Sequence, residues 1–138
     1  MPAQTVDLRV ADLMTIDPIS VSVDASIEEA EELLRHNRIT GLPVVDSGGR
    51  LVGVISQTDV LYLLLPHVQA LIQHREHGTR VGEVMSTPPV TIDSSSSLRE
   101  AACLMYQERL HRLVAVDAYG RPIGVISAMD FVALAAEG

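Results

Sequence analysis

One stretch of this chain occurs twice. Sliding the 138-residue sequence against itself by 71 positions, the offset from Gly53 to Gly124, aligns Val10–Asp59 with Val81–Asp130 without a gap. Identities run throughout, among them Met14/Met85, Pro18/Pro89, Ser26/Ser97, Glu29/Glu100, Leu42/Leu113, Asp46/Asp117 and Gly49/Gly120. The period exceeds the roughly 20–50 residues of solenoid units, so the repeat is a duplicated supersecondary unit. Whatever fold the chain takes, it must build the same unit twice, with halves that share a core.

The most telling repeated phrase is Gly53-Val54-Ile55-Ser56-Gln57-Thr58-Asp59, which returns as Gly124-Val125-Ile126-Ser127-Ala128-Met129-Asp130. An apolar strand runs each time into a Ser-x-x-Asp helix start. Free amide N–H groups, a hydroxyl and a carboxylate at such a junction suit a phosphorylated, ribose-bearing ligand. The same four residues also form a helix cap without any ligand.

Around that phrase each repeat reads β-α-β-β-α. Val10–Met14 forms a brief helical turn, and Thr15-Ile16-Asp17-Pro18 reads as a loop, because proline pushes its predecessor out of the α region. Ile19–Val23 alternates with the period of a strand, matched more weakly by Val90–Ile92. Ser26-Ile27-Glu28-Glu29 and Ser97-Leu98-Arg99-Glu100 are capping boxes that open helices. Ile27, Ala30, Leu33 and Leu34 place one apolar stripe inward, and Leu98, Ala101, Leu104 and Met105 repeat it. Glu28, Glu31, Glu32 and Arg35 form the solvated face. Arg38 and Arg109 are expected to pair with the acidic helix. Gly41–Val45 and Arg112–Val116 are short buried strands, followed by Asp46–Arg50 or Asp117–Arg121 as turn and then a hairpin partner.

The domain plan is residues 1–9 as a leader in which Val6 and Leu8 pack, 10–65 as repeat one, 66–80 as a helical connector and 81–138 as repeat two, all one α/β module. In the connector, Val68, Leu71 and Ile72 have amphipathic spacing and Gly78 supplies a stop. His67, His74 and His77 also fall there, but no Cys or carboxylate at suitable spacing completes a metal site.

Composition narrows the function. A formal net charge of −8 opposes polyanion binding, which rests on Lys and Arg neutralising phosphates, so nucleic acid is excluded. No apolar stretch approaches the roughly 18 residues of a bilayer span. The single Cys103 forms no intramolecular disulfide and reads as core filler, and a reducing cytoplasm fits it. No Ser-His-Asp constellation, complete metal set, P-loop or Gly-x-Ser-x-Gly elbow is found, so no enzymatic activity is expected.

These residues together resemble the cystathionine-β-synthase (CBS) domain family, whose domains occur as tandem pairs called Bateman modules. The resemblance rests on Val10-x-x-x-Met14-Thr15 with Pro18, the capping-box helix, Gly41-Leu42-Pro43-Val44-Val45-Asp46 and Gly53-x-x-Ser56-x-x-Asp59, each with its counterpart in repeat two. It implies a compact pair about a pseudo-twofold axis, two clefts for adenosine-containing ligands, and further dimerisation into flat discs.

Residue roles follow by the same resemblance. Asp59 and Asp130 would bind a ribose diol, while Ser56 and Ser127, with the neighbouring Thr58 and Met129, would face the ligand at the helix start. Ile16, Asp17 and Pro18 in one copy, and Thr87, Pro88 and Pro89 in the other, would hold adenine. His111-Arg112 resembles a phosphate-contacting pair, replaced by Thr40-Gly41 in repeat one, so the two clefts are expected to bind unequally. The function so implied is a non-catalytic sensor of AMP, ADP, ATP or a related compound, acting as a homodimer or on an enzyme or transporter in trans. No obligatory cofactor is implied. The competing reading is a structural adaptor with empty clefts.

Overall fold

The computed structural model describes residues 8–63, 65–72 and 78–137. In chain order the described elements are α1 (Val10–Leu13), β1 (Thr15–Ile16), β2 (Val21–Ser22), α2 (Ile27–Asn37), β3 (Gly41–Val45), β4 (Leu51–Ser56), α3 (Gln57–Leu63), α4 (Pro66–Ile72), α5 (Val81–Val84), β5 (Thr91–Ile92), α6 (Leu98–Glu108), β6 (Arg112–Val116), β7 (Pro122–Ser127) and α7 (Ala128–Glu137). They form two units. A contiguous unit spans Ile19–Pro89, and a discontinuous one joins the described part of Met1–Pro18 to Val90–Gly138.

In the contiguous unit the sheet order is β2-β3-β4. β2 runs parallel to β3, with Val21 opposite Val44, and β3 is antiparallel to β4, with Gly41 opposite Ser56. The hairpin closes because Asp46 Oδ1 accepts from the Gly48 and Arg50 amides at 2.9 and 3.0 Å. Gly49 takes the positive φ of 82° that the turn demands.

Helix α2 starts where Ser26 Oγ accepts from the Glu29 amide at 3.1 Å. It stops at Arg38, whose left-handed φ of 53° returns its N–H to the last turn. Ile27, Ala30 and Leu34 are buried on one face, over Leu42, Val44 and Ile55 of the sheet. Burial of the Ile, Leu and Val side chains among them contributes roughly 1.5–3 kcal/mol each. Val81 of α5 is fully enclosed in the same cluster.

The discontinuous unit repeats the plan with one strand more, in the order β1-β7-β6-β5. Its extra strand comes from the start of the chain. Thr15 and Ile16 pair with Val125 and Gly124, and Val10 is fully buried with Leu113, Ala115 and Ile126. Leu8 packs on this cluster, and its carbonyl accepts from the Leu98 amide at 3.1 Å.

The matching segment before repeat two goes the other way. Val81 donates to the Ala25 carbonyl at 2.9 Å, and Ser86 and Val54 exchange backbone hydrogen bonds at 2.9 and 3.1 Å. Each repeat's leading segment thus completes the unit built around the other repeat's Ser-x-x-Asp strand.

Several expectations change. Thr15-Ile16 is strand rather than loop, because β7 offers it an open edge. The strand expected over Ile19–Val23 shortens to Val21–Ser22, and its far end is set by β3, which stops at Val45 where Asp46 turns the chain. Cys103 is exposed rather than core filler. It lies five residues past Leu98, about 140° round the helix at ~100° per residue, so it faces away from the stripe. Arg38 and Arg109 are left-handed caps at φ 53° and 56°. Among the described residues neither guanidinium pairs with the acidic helix.

Gly78 has a φ of +69°. Residues 73–77, with His74 and His77, lie outside the described residues, as do Val6 and the side chains of His67, Leu71 and Ile72.

Candidate functional site

Each Ser-x-x-Asp closes a cap. Ser56 N and Oγ donate to Asp59 Oδ2 at 2.9 and 3.0 Å, and Oγ accepts from the Asp59 amide at 3.2 Å. In the second copy Ser127 N donates to Asp130 Oδ2 at 2.8 Å and Ser127 Oγ accepts from the Asp130 amide at 3.3 Å. The Ser56 hydroxyl proton therefore points to Asp59 and not outward. Among the described residues, Oδ1 of both aspartates accepts no hydrogen bond. A carboxylate held through one oxygen presents the other, fixed in direction, to paired hydroxyl donors.

The start of the second strand is pinned beside each cap. The Gln57 amide donates to the Thr40 carbonyl, and Ala128 to that of His111, both at 2.8 Å. Arg112 lies directly opposite Ser127. Arg112 is half-buried, and that burial pulls its pKa below the ordinary value. His111, Thr58 and Met129 are exposed.

The leading segments add the remaining nominees. Ile16 is opposite Gly124 on β7, and Asp17, at a left-handed φ of 50°, donates its amide to Ile123 O at 3.3 Å. The Thr87 hydroxyl is tied to the Val52 carbonyl at 3.0 Å. The nominees therefore sort by unit rather than by repeat. The discontinuous unit holds Ile16, Asp17 and Pro18 with His111, Arg112, Ser127, Met129 and Asp130. The contiguous unit holds Thr40, Ser56, Thr58 and Asp59 with Thr87, Pro88 and Pro89.

The contiguous unit also contains a cavity of about 430 Å³ between α2 and α3, floored by Leu34 and Val60 and rimmed by Arg35, Arg38, Thr40 and Gln57. The sequence reading missed Arg35 and Gln57. Their signal was comparison across the repeat, where Tyr106 and Ala128 take their places. Among the described residues no three His, Cys, Asp or Glu side chains converge to hold a metal, and no helix is long and apolar enough to cross a membrane.

Two sheet-and-helix units, each pinning a capped aspartate beside the start of a strand, define a tandem α/β repeat protein. The chain belongs to the CBS domain family, whose model matches residues 10–66 and again 81–137. It is 33% identical over 156 aligned positions to the CBS domain-containing protein CBSX2, chloroplastic, of Arabidopsis thaliana, covering 96% of this chain and 65% of that protein. The chain thus spans less than two thirds of that relative's length.

The crystal structure of CBSX2 in complex with AMP superposes with a TM-score of 0.80 and 35% identity, over 94% of this chain and 96% of that one. The CBS domain pair of protein MJ0100, in complex with 5′-methylthioadenosine and S-adenosyl-L-methionine, gives 0.82 and 25%, over 94% and 97%. The family boundaries follow the sequence repeat, whereas packing exchanges the leading segments between units.

Proposed function

We propose that this chain is a non-catalytic regulatory module that binds an adenosine-containing ligand and reports its occupancy to a partner. The observation that carries the reading is the match to an AMP complex over 94% of the chain. The chain's own geometry supports it: Asp59 and Asp130 each keep one carboxylate oxygen for a ribose diol. Arg112 and His111 offer charge and hydrogen bonds to a phosphate in the discontinuous unit. A ligand shifts the module between states by no more than its differential affinity for them.

A homodimer is part of this reading. Tyr62 and Val132 are 59% and 57% exposed on α3 and α7, and such apolar side chains suit a second copy. A reducing compartment completes it, because Cys103 is the chain's one thiol.

Calorimetric titration of the full chain with AMP, ATP, NAD and S-adenosylmethionine tests the ligand. Protein verified free of co-purified nucleotide should bind at least one of them, and Asp130→Ala should weaken that binding at least tenfold. Silence from all four at millimolar concentration removes the adenosyl assignment and leaves the adaptor. Light scattering coupled to gel filtration tests the dimer, and Tyr62→Glu with Val132→Glu should yield monomers.

A further inference from the structure

Repeat one gives up the His-Arg pair that repeat two carries at the start of its second strand, having Thr40-Gly41 against His111-Arg112. It does not give up positive charge. One residue changes from Tyr106 to Arg35 and another from Ala128 to Gln57, and both replacements rim the cavity between α2 and α3. We propose that this cavity is a phosphate site in which Arg35 and Arg38 grip the anion and Gln57 and Thr40 complete the rim.

The arginines reach the cavity for different local reasons. Arg35 lies in the last turn of α2, where Glu31 Oε1 holds its Nε at 3.0 Å. That ion pair engages Nε and not the two terminal nitrogens. It also matches the charge of Glu31, the one acid on the rim. Arg38 sits in the left-handed cap, which swings its side chain off the helix. Among the described residues its guanidinium has no partner.

Two planar forks beside an amide suit the oxygens of a phosphate better than a single carboxylate, because each fork donates in parallel pairs. The volume of about 430 Å³ lies within the ~300–1,000 Å³ of ordinary ligand pockets, room for more than one phosphate. In a chain of formal net charge −8, a local excess of cations on a cavity rim is where a small anion gains most.

The phosphate can come from a free polyphosphate or from the tail of a nucleotide. Only the second source rests on the adenosyl reading. The experiment titrates the full chain with sodium tripolyphosphate, ATP and adenosine at low ionic strength. Arg38→Gly, Arg35→Gln and their combination are the variants, with Arg99→Gln as control. Glycine favours the left-handed cap, so Arg38→Gly should fold at least as well while lacking the guanidinium.

The expected result is tripolyphosphate binding that weakens with salt, falls at least tenfold in the double variant, recovers in part with Lys at both positions and is unchanged by Arg99→Gln. ATP tighter than adenosine by an arginine-dependent factor identifies a nucleotide tail. Equal affinity for the two, with tripolyphosphate still bound, identifies the free anion. The site is overturned if tripolyphosphate fails to bind, or binds the variants as well as the parent. Adenosine binding in that case leaves the adenosyl reading standing, whereas arginine-dependent tripolyphosphate binding without adenosine leaves the site and removes that reading.

Discussion

The Met85 thioether fills the space that a Cβ on Gly53 would need. At that point the Ser86 carbonyl also stands 2.9 Å away, so backbone as well as side chain blocks any substitution. At Gly124 the three nearest atoms to such a Cβ all belong to the Met14 side chain. Gly53→Ala and Gly124→Ala should therefore each cost about 1–3 kcal/mol, as overpacked sites do. Urea denaturation of the two variants measures the cost, and a variant as stable as the parent would contradict the crowding.

The capping boxes of α2 and α6 are matched in geometry, with Ser26 and Ser97 accepting from the amides of Glu29 and Glu100 at 3.1 and 3.0 Å. Ser26→Ala and Ser97→Ala should each lower stability by about 1 kcal/mol, since each leaves a helix N–H uncapped. Glycine in place of alanine should restore most of it. Chemical denaturation of the four variants gives the comparison.

Acid should loosen the second hairpin. The Arg121 backbone N–H, followed by that of Tyr119 and then the Arg121 side chain, holds Asp117 below the ordinary carboxylate value of 3.8. A depressed folded-state pKa stabilises above the unfolded value and is lost as pH falls through the folded one. Asp93 is lowered similarly by the Ser95 amide and hydroxyl. Melting temperature against pH should fall below about pH 4 in the parent, and Asp117→Asn should flatten that limb.

Cys103 faces outward on α6. It should react fully with a thiol reagent in native buffer, without denaturant, and Cys103→Ser should change stability by no more than ~0.5 kcal/mol, as outward surface substitutions do. A thiol that reacts only after unfolding would contradict its exposure.

What the sequence disclosed was local. Period, capping boxes and Asp-Gly turns lie within a few residues of one another, so α2, α6 and both hairpins were legible with nearly their full bounds. Strand partners across long separations were not. Nothing near Thr15 announces that its neighbour is Val125, because β1 takes its ladder from a strand over a hundred residues away. The site followed the same division. Ser56 and Asp59 stood out as a motif, but their hydrogen bond to each other is a matter of rotamers. Arg35 looked like one more charge on a solvated helix until α3 closed a cavity beside it. Cys103 was misplaced because an apolar residue type was weighed above its angle on the helix.

The exchange of leading segments has a consequence for the newborn chain. The contiguous unit has all its parts once Pro89 has been made, so it can close while the ribosome is still working. The discontinuous unit cannot, since Val10 and Ile16 wait for Ile126 and Gly124. At about 5–20 residues added per second that wait lasts seconds. The segment around Val10, made before the contiguous unit, is thus among the last to find its place, and until then the apolar face of Val10 is open to whatever else is nearby.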